Sequence, residues 1–134
     1  MIFVDSSALF KLVKFEPESS AFSSFVGDTD LVGSELLLTE VRRAAITQSA
    51  LEPHPNDDEL FSRAEWICSQ VSLVPVDAEV LIAAGGLRPA SLRSLDAIHL
   101  ASALISEADV FISYDRRQAE AAREAGLNVV TPGN

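Results

Sequence analysis

The chain has 134 residues, 48% of them hydrophobic, with six glycines, six prolines and a single cysteine, Cys68. That composition fits one globular domain and excludes long disorder, an internal disulfide and a cysteine-rich zinc site. Twenty acids against ten bases leave a net charge of −10, which speaks against a protein that wraps nucleic acid through its own positive charge, though not against an enzyme whose acids hold cations.

The opening apolar run Ile2-Phe3-Val4 is short and β-prone, so it reads as a buried strand. Asp5 stands directly at its carboxyl end, where ligands bind in proteins of alternating strands and helices. Met1 is followed almost at once by Asp5, with neither a basic region nor a long apolar segment; the expectation is a chain without a leader or membrane span that stays in the cytoplasm. "SSALFKLVKF" then shows helical spacing and is stopped by Pro17, and "ESSAFSSFVG" predicts a second helix with Ala21, Phe22 and Phe25 on one side. "DLVGS" is a second strand. A longer helix runs from Ser34 to Ala50, and "DDELFSRAEWICSQV" is another, with acids in its first turn and Cys68 as a small buried hydrophobe.

"SLVPV" predicts a third strand, "DAEVLIAAGG" a helix closed by glycines, and "LRPASLR" an exposed loop that could form a mobile lip. "SLDAIHLASALISEA" is apolar on nearly every side and therefore central, with Ser94 as its N-cap. "DVFIS" is a fourth strand, "DRRQAEAAREAG" a helix, and "LNVVTP" a last strand. Strands separated by helices imply parallel pairing, and hence a three-layer α/β/α domain around about five parallel strands.

Four acids stand out. Asp5 and Asp115 follow the first and fourth strands and should share the carboxyl edge of the sheet. Each could equally be a helix cap, Asp115 in a capping box with Gln118 reaching back. Glu40 interrupts an apolar stripe formed by Leu36, Leu37, Val41 and Ala44, and an ionised carboxylate buried there is costly unless a cation or partner compensates it; an edge position is the alternative. Asp96 lies near the start of the central helix, where a first-turn acid is also favoured by the helix dipole, and His99 shares its face as a core or supporting residue. Carboxylates converging without basic neighbours repel one another, and oxygen-only ligands select Mg²⁺ or Mn²⁺ rather than zinc. Such ions serve in-line attack on phosphodiesters.

"IFVDSSALFKL", "SELLLTEVRRA", "SLDAIHLASAL" and "FISYDRRQAEAAREAGLNVVTP", in this order and over nearly the whole chain, resemble the PIN-domain ribonucleases, and within them the VapC-type toxins of bacterial toxin–antitoxin pairs. The resemblance implies one PIN domain over residues 1–134 with Asp5, Glu40, Asp96 and Asp115 as the catalytic, metal-holding acids. Ser6 and Ser113 match supporting hydroxyl positions, although the family commonly has threonine where Ser113 stands. It further implies a Mg²⁺-dependent endoribonuclease, a homodimer, and inhibition by a cognate VapB-type antitoxin. Arg42, Arg43, Arg88, Arg93, Arg116 and Arg117 lie near the four acids in sequence and are the candidates for gripping RNA phosphates, solvated surface arginines being the alternative. Phe10, Phe15, Phe22 and Phe25 read as packing or as part of a groove for an antitoxin helix.

Other classes fit less well. A receiver-like module needs a lysine late in the chain, and none follows Lys14; a haloacid-dehalogenase-like phosphatase needs a second aspartate at position 7, which is Ser7. No glycine-rich turn follows any strand, which removes P-loop and dinucleotide sites. A catalytically silent PIN-like interaction module stays open.

Overall fold

The computed structural model describes all 134 residues. Five strands form one parallel sheet: β1 (Ile2–Val4), β2 (Leu31–Ser34), β3 (Ser72–Val74), β4 (Val110–Ile112) and β5 (Val129–Val130), in the order β3-β2-β1-β4-β5. Seven helices connect them: α1 (Ser6–Leu9, continued by a 3₁₀ turn over Phe10–Leu12), α2 (Ser19–Val26), α3 (Leu37–Leu51), α4 (Asp57–Ser69), α5 (Ala78–Gly85), α6 (Ser94–Ile105) and α7 (Arg116–Glu124).

Alternation along β1 sorts the layers. Ile2 and Val4 pack with Leu9, Phe22, Leu37, Val41 and Ile67, so α1 to α4 cover one face. Phe3 points the other way, stacked on its β4 neighbour Phe111 at 5.8 Å, and packs with Leu100 and Ala121 under α6 and α7. Of these, the fully buried Phe3, Val4, Leu9, Phe22, Leu37, Val41, Leu100 and Phe111 contribute about 1.5–3 kcal/mol each. Gly33 in β2 lets the layers meet closely, since a Cβ there would fall 2.3 Å from Cδ1 of Leu37.

This topology fixes where a site belongs. The chain fills β1, β2 and β3 outward to one side, then returns to the other side of β1 for β4 and β5. The strand order therefore reverses between β1 and β4, and a crevice opens beyond their carboxyl ends. Asp5 and Ser113 are the first residues past those two strands.

Several expected boundaries shift, each for a local reason. The helix expected from Ser34 starts at Leu37, because Ser34 still pairs with Val74 in the sheet while its hydroxyl accepts from the Leu36 amide at 3.1 Å. The first helix tightens into 3₁₀ geometry after Leu9. On α2 the buried stripe is Ser19, Phe22 and Val26, which leaves Phe25 43% exposed at its edge. Arg93, not Ser94, is the cap residue of α6. The capping box on α7 does not form: Gln118 is fully buried with neither side-chain polar atom bonded, and the Asp115 amide donates instead to the Ser113 hydroxyl at 3.1 Å. No helix is long and apolar enough to cross a membrane.

Candidate metal centre

Asp5 is only 3% exposed and caps α1. Its Oδ1 accepts the Ala8 amide at 3.0 Å and the Ser7 hydroxyl at 2.6 Å, and its Oδ2 accepts the Ser113 hydroxyl. Burial pushes this carboxyl above its ordinary range, while the three donors and the His99 imidazole pull it back only in part. Opposite it, Asp115 caps α7 through one oxygen, which accepts the amides of Arg117 at 2.9 Å and Gln118 at 3.1 Å. Its other oxygen has no protein donor, and the residue is exposed.

The other two acids come from helices rather than strand ends. Glu40 lies in the first turn of α3, at the edge of a buried stripe of Leu37, Val41 and Ala45. It is part-exposed, as an edge position predicts, yet its carboxylate is held by Nε2 of His99, which is 1% exposed. His99 is thus a supporting residue joining α6 to α3. Asp96, three residues before it, is half-buried in the first turn of α6. Its carboxyl is pushed up by burial first and then by the negative charges of Asp115, Asp5 and Glu40, with His99 opposing.

Of the four acids expected from the sequence, Asp96 is near enough to the other three to feel their charge, and no lysine or arginine forms an ion pair with any of the four. They do not form a closed shell: no three histidine, cysteine, aspartate or glutamate side chains gather tightly enough to hold an ion as they stand. The reason is visible in their partners. Three of the four carboxylates are engaged by donors of the protein, Asp5 by hydroxyls and an amide, Asp115 by its helix and Glu40 by His99.

Of the two expected hydroxyls, that of Ser113 is fully buried and donates to Asp5, and Ser7, next to Ser6, donates to the same carboxylate. Sequence reasoning missed Ser7 as a partner of Asp5; its signal was a serine two residues beyond a capping aspartate. The six arginines are all exposed. Arg42 turns back along its helix to the Leu38 carbonyl at 2.9 Å and toward Glu65 at 3.9 Å, and Arg116 pairs with Glu120 at 3.4 Å. Arg43, Arg88, Arg93 and Arg117 make no ion pair.

Comparison with known proteins bears on the family and the fold. A family model described as the PIN domain matches residues 2–124. Ribonuclease VapC46 of Mycobacterium tuberculosis is 36% identical over 98% of this chain and 97% of its own length, and Ribonuclease VapC47 of the same species is 32% identical over 99% and 98%. Among solved structures, FitAcB from Neisseria gonorrhoeae superposes with a TM-score of 0.72 at 18% identity over 98% of both chains. VapBC2 from Rickettsia felis, bound to a DNA fragment from their promoter, gives 0.66 at 10% identity over 98% of this chain and 99% of that one. A parallel sheet whose strand order reverses at Asp5 and Ser113, a family match over nearly its whole length and full-length VapC relatives place this chain in the PIN-domain family.

Proposed function

We propose that this protein is a metal-dependent endoribonuclease, the toxin of a toxin–antitoxin pair, hydrolysing RNA phosphodiester bonds at the cluster of Asp5, Glu40, Asp96 and Asp115. The observation that carries the reading is the convergence of four acids from distant parts of the chain where the strand order reverses, with Asp96 raised by burial and by the charges of the other three and no lysine or arginine paired to any of them. A site that concentrates negative charge in this way is stabilised by a cation. Its carboxylate donors fit a hard ion, Mg²⁺ with Mn²⁺ as a substitute, and not zinc. Bound there, such an ion supplies the positive charge that activates a water for attack and stabilises the leaving oxygen.

The chain's own residues do the rest. Asp5 is held rigid by Ser7, Ser113 and the Ala8 amide, so its carboxylate meets a ligand without losing further freedom. His99 aims Glu40 from its buried place on α6. Arg88, Arg93 and Arg117, free of acid partners, suit phosphate contacts on RNA, and Arg43 is a further candidate. Arg42 and Arg116, each beside a glutamate, contribute less.

A VapB-type antitoxin is the proposed inhibitor, with the protein acting as a cytoplasmic homodimer. An acidic cluster of this kind favours a basic side chain from the partner entering it. Phe15 and Trp66, 76% and 60% exposed, flank a groove of about 520 Å³ between α2 and α4 where an apolar helix can seat. Phe10 and Phe22 are packing residues.

The test is cleavage of RNA by purified protein with Mg²⁺ and with EDTA. Cleavage that requires Mg²⁺ and stops in EDTA is expected; cleavage untouched by EDTA contradicts the assignment. One observation favours a second reading, a silent PIN-like interaction module: the acids are not gathered into a ready shell. Absence of Mn²⁺ uptake by the free protein in calorimetry would select it.

A further inference from the structure

Two consecutive backbone amides past β4 each donate to a serine hydroxyl. Tyr114 N–H donates to Ser7 Oγ at 2.9 Å, and Asp115 N–H donates to Ser113 Oγ at 3.1 Å. A hydroxyl that accepts from an amide keeps its single proton for another acceptor. Both serines direct that proton to the same carboxylate, Ser7 to Oδ1 of Asp5 at 2.6 Å and Ser113 to Oδ2. The two hydroxyls also lie 3.5 Å from each other, at the outer limit of contact.

The direction of each proton is therefore set by the backbone. Both serines bridge the switch point, Ser113 by donating across it to Asp5 and Ser7 by accepting across it, since Ser7 belongs to α1 while the amide that orders it belongs to the segment carrying Asp115. With the Ala8 amide, three donors occupy three of the roughly four lone-pair directions of the Asp5 carboxylate, which leaves one direction for an outside ligand.

We propose that Ser7 is a positioning residue of this site: by relaying the Tyr114 amide to Asp5 Oδ1, it aims the carboxylate and sets its spacing to Asp115. The role rests on the reading of the acids as a divalent-cation site. It goes beyond holding the fold, because the Ser7 bonds join a candidate ligand to the loop of another, and partners of that kind typically govern metal affinity and activity by about 10- to 100-fold.

The pair Ser7→Thr and Ser7→Val isolates the hydroxyl, the two side chains having nearly the same shape. Calorimetric titration of Mn²⁺ should give Ser7→Thr close to wild-type affinity and Ser7→Val an affinity about 10- to 100-fold weaker. With RNA, Ser7→Val should lower kcat and leave KM unchanged. Equal Mn²⁺ affinities for the two variants, each unfolding cooperatively on heating, overturn the proposal. Should Ser7→Val not fold, Ser7→Ala takes its place in the same comparison. Asp5→Asn separates the two levels of the inference. If it loses Mn²⁺ while Ser7→Val binds like wild type, only the role of Ser7 falls. If wild type itself takes up no Mn²⁺, the cation-site reading falls and the Ser7 role with it.

Discussion

The two halves of the acidic cluster are built on different principles. The half at the ends of β1 and β4 is satisfied: Asp5 is buried under three donors and Asp115 caps a helix, both aligned by backbone amides. The half on α3 and α6 is frustrated, with Asp96 meeting three like charges and Glu40 depending on one buried imidazole. One wall is thus held by donors of the fold, while the other carries a buried carboxyl facing like charges, which on the proposed reading a cation would offset.

The largest effects should come from removing an acid on either side, and the two halves should then part company in stability. Asp5→Asn and Asp96→Asn should each reduce Mg²⁺-dependent RNA cleavage by more than about 100-fold, above the range for loss of a supporting partner. On thermal unfolding without metal, Asp5→Asn should lower Tm, since an amide cannot accept from all three donors and a buried donor left unpaired costs about 1–3 kcal/mol. Asp96→Asn should raise Tm, through a stabilisation of up to about 1 kcal/mol for a solvent-screened cluster. A fall in Tm for Asp96→Asn would break the comparison.

Next in size is His99→Leu, which leaves Glu40 without its partner. Cleavage should drop by about 10- to 100-fold, with kcat carrying the change. An unaltered kcat would show that the imidazole only fills space.

Each half also predicts a pH dependence through one buried acid. Asp5 and Asp96 have folded-state values raised above the ordinary 3.8. Between that value and the raised ones the native state holds more protons than the unfolded chain, so metal-free stability should decline as pH climbs through the window. Denaturant midpoints against pH should show the decline, flatter in Asp96→Asn, and Mg²⁺ at neutral pH should offset it. Rising stability across that window in the wild type, with no flattening in the variant, would contradict the picture.

The smallest effects belong to the rim. Arg93→Ala or Arg117→Ala should weaken RNA binding by about 1 kcal/mol or less and reduce the salt slope by about one. Binding assays over a range of salt would detect it.

How much of this was legible in the sequence follows from the range of the forces involved. The five strands and the order of the seven helices could be read because apolar runs and helical spacing are local signals. The start of α3 could not be placed, because Ser34 stays in the sheet for the sake of Val74, forty residues away in sequence. Gln118 looked like a capping residue until Ser113 took the amide it would have served. Ser6 was singled out over Ser7 because only the folded loop after β4 brings the Tyr114 amide to the second serine. The pairing of His99 with Glu40 likewise joins two helices that no local pattern relates.

The most direct test is the position of a bound ion, found from the anomalous scattering of Mn²⁺ in crystals of the protein. The account predicts a peak between the two halves, with oxygens of Asp5 and Asp96 both in its coordination sphere at ordinary ligand distances of about 2.0–2.2 Å. Mn²⁺ bound elsewhere, or bound by one half while the other keeps its metal-free contacts, would contradict it.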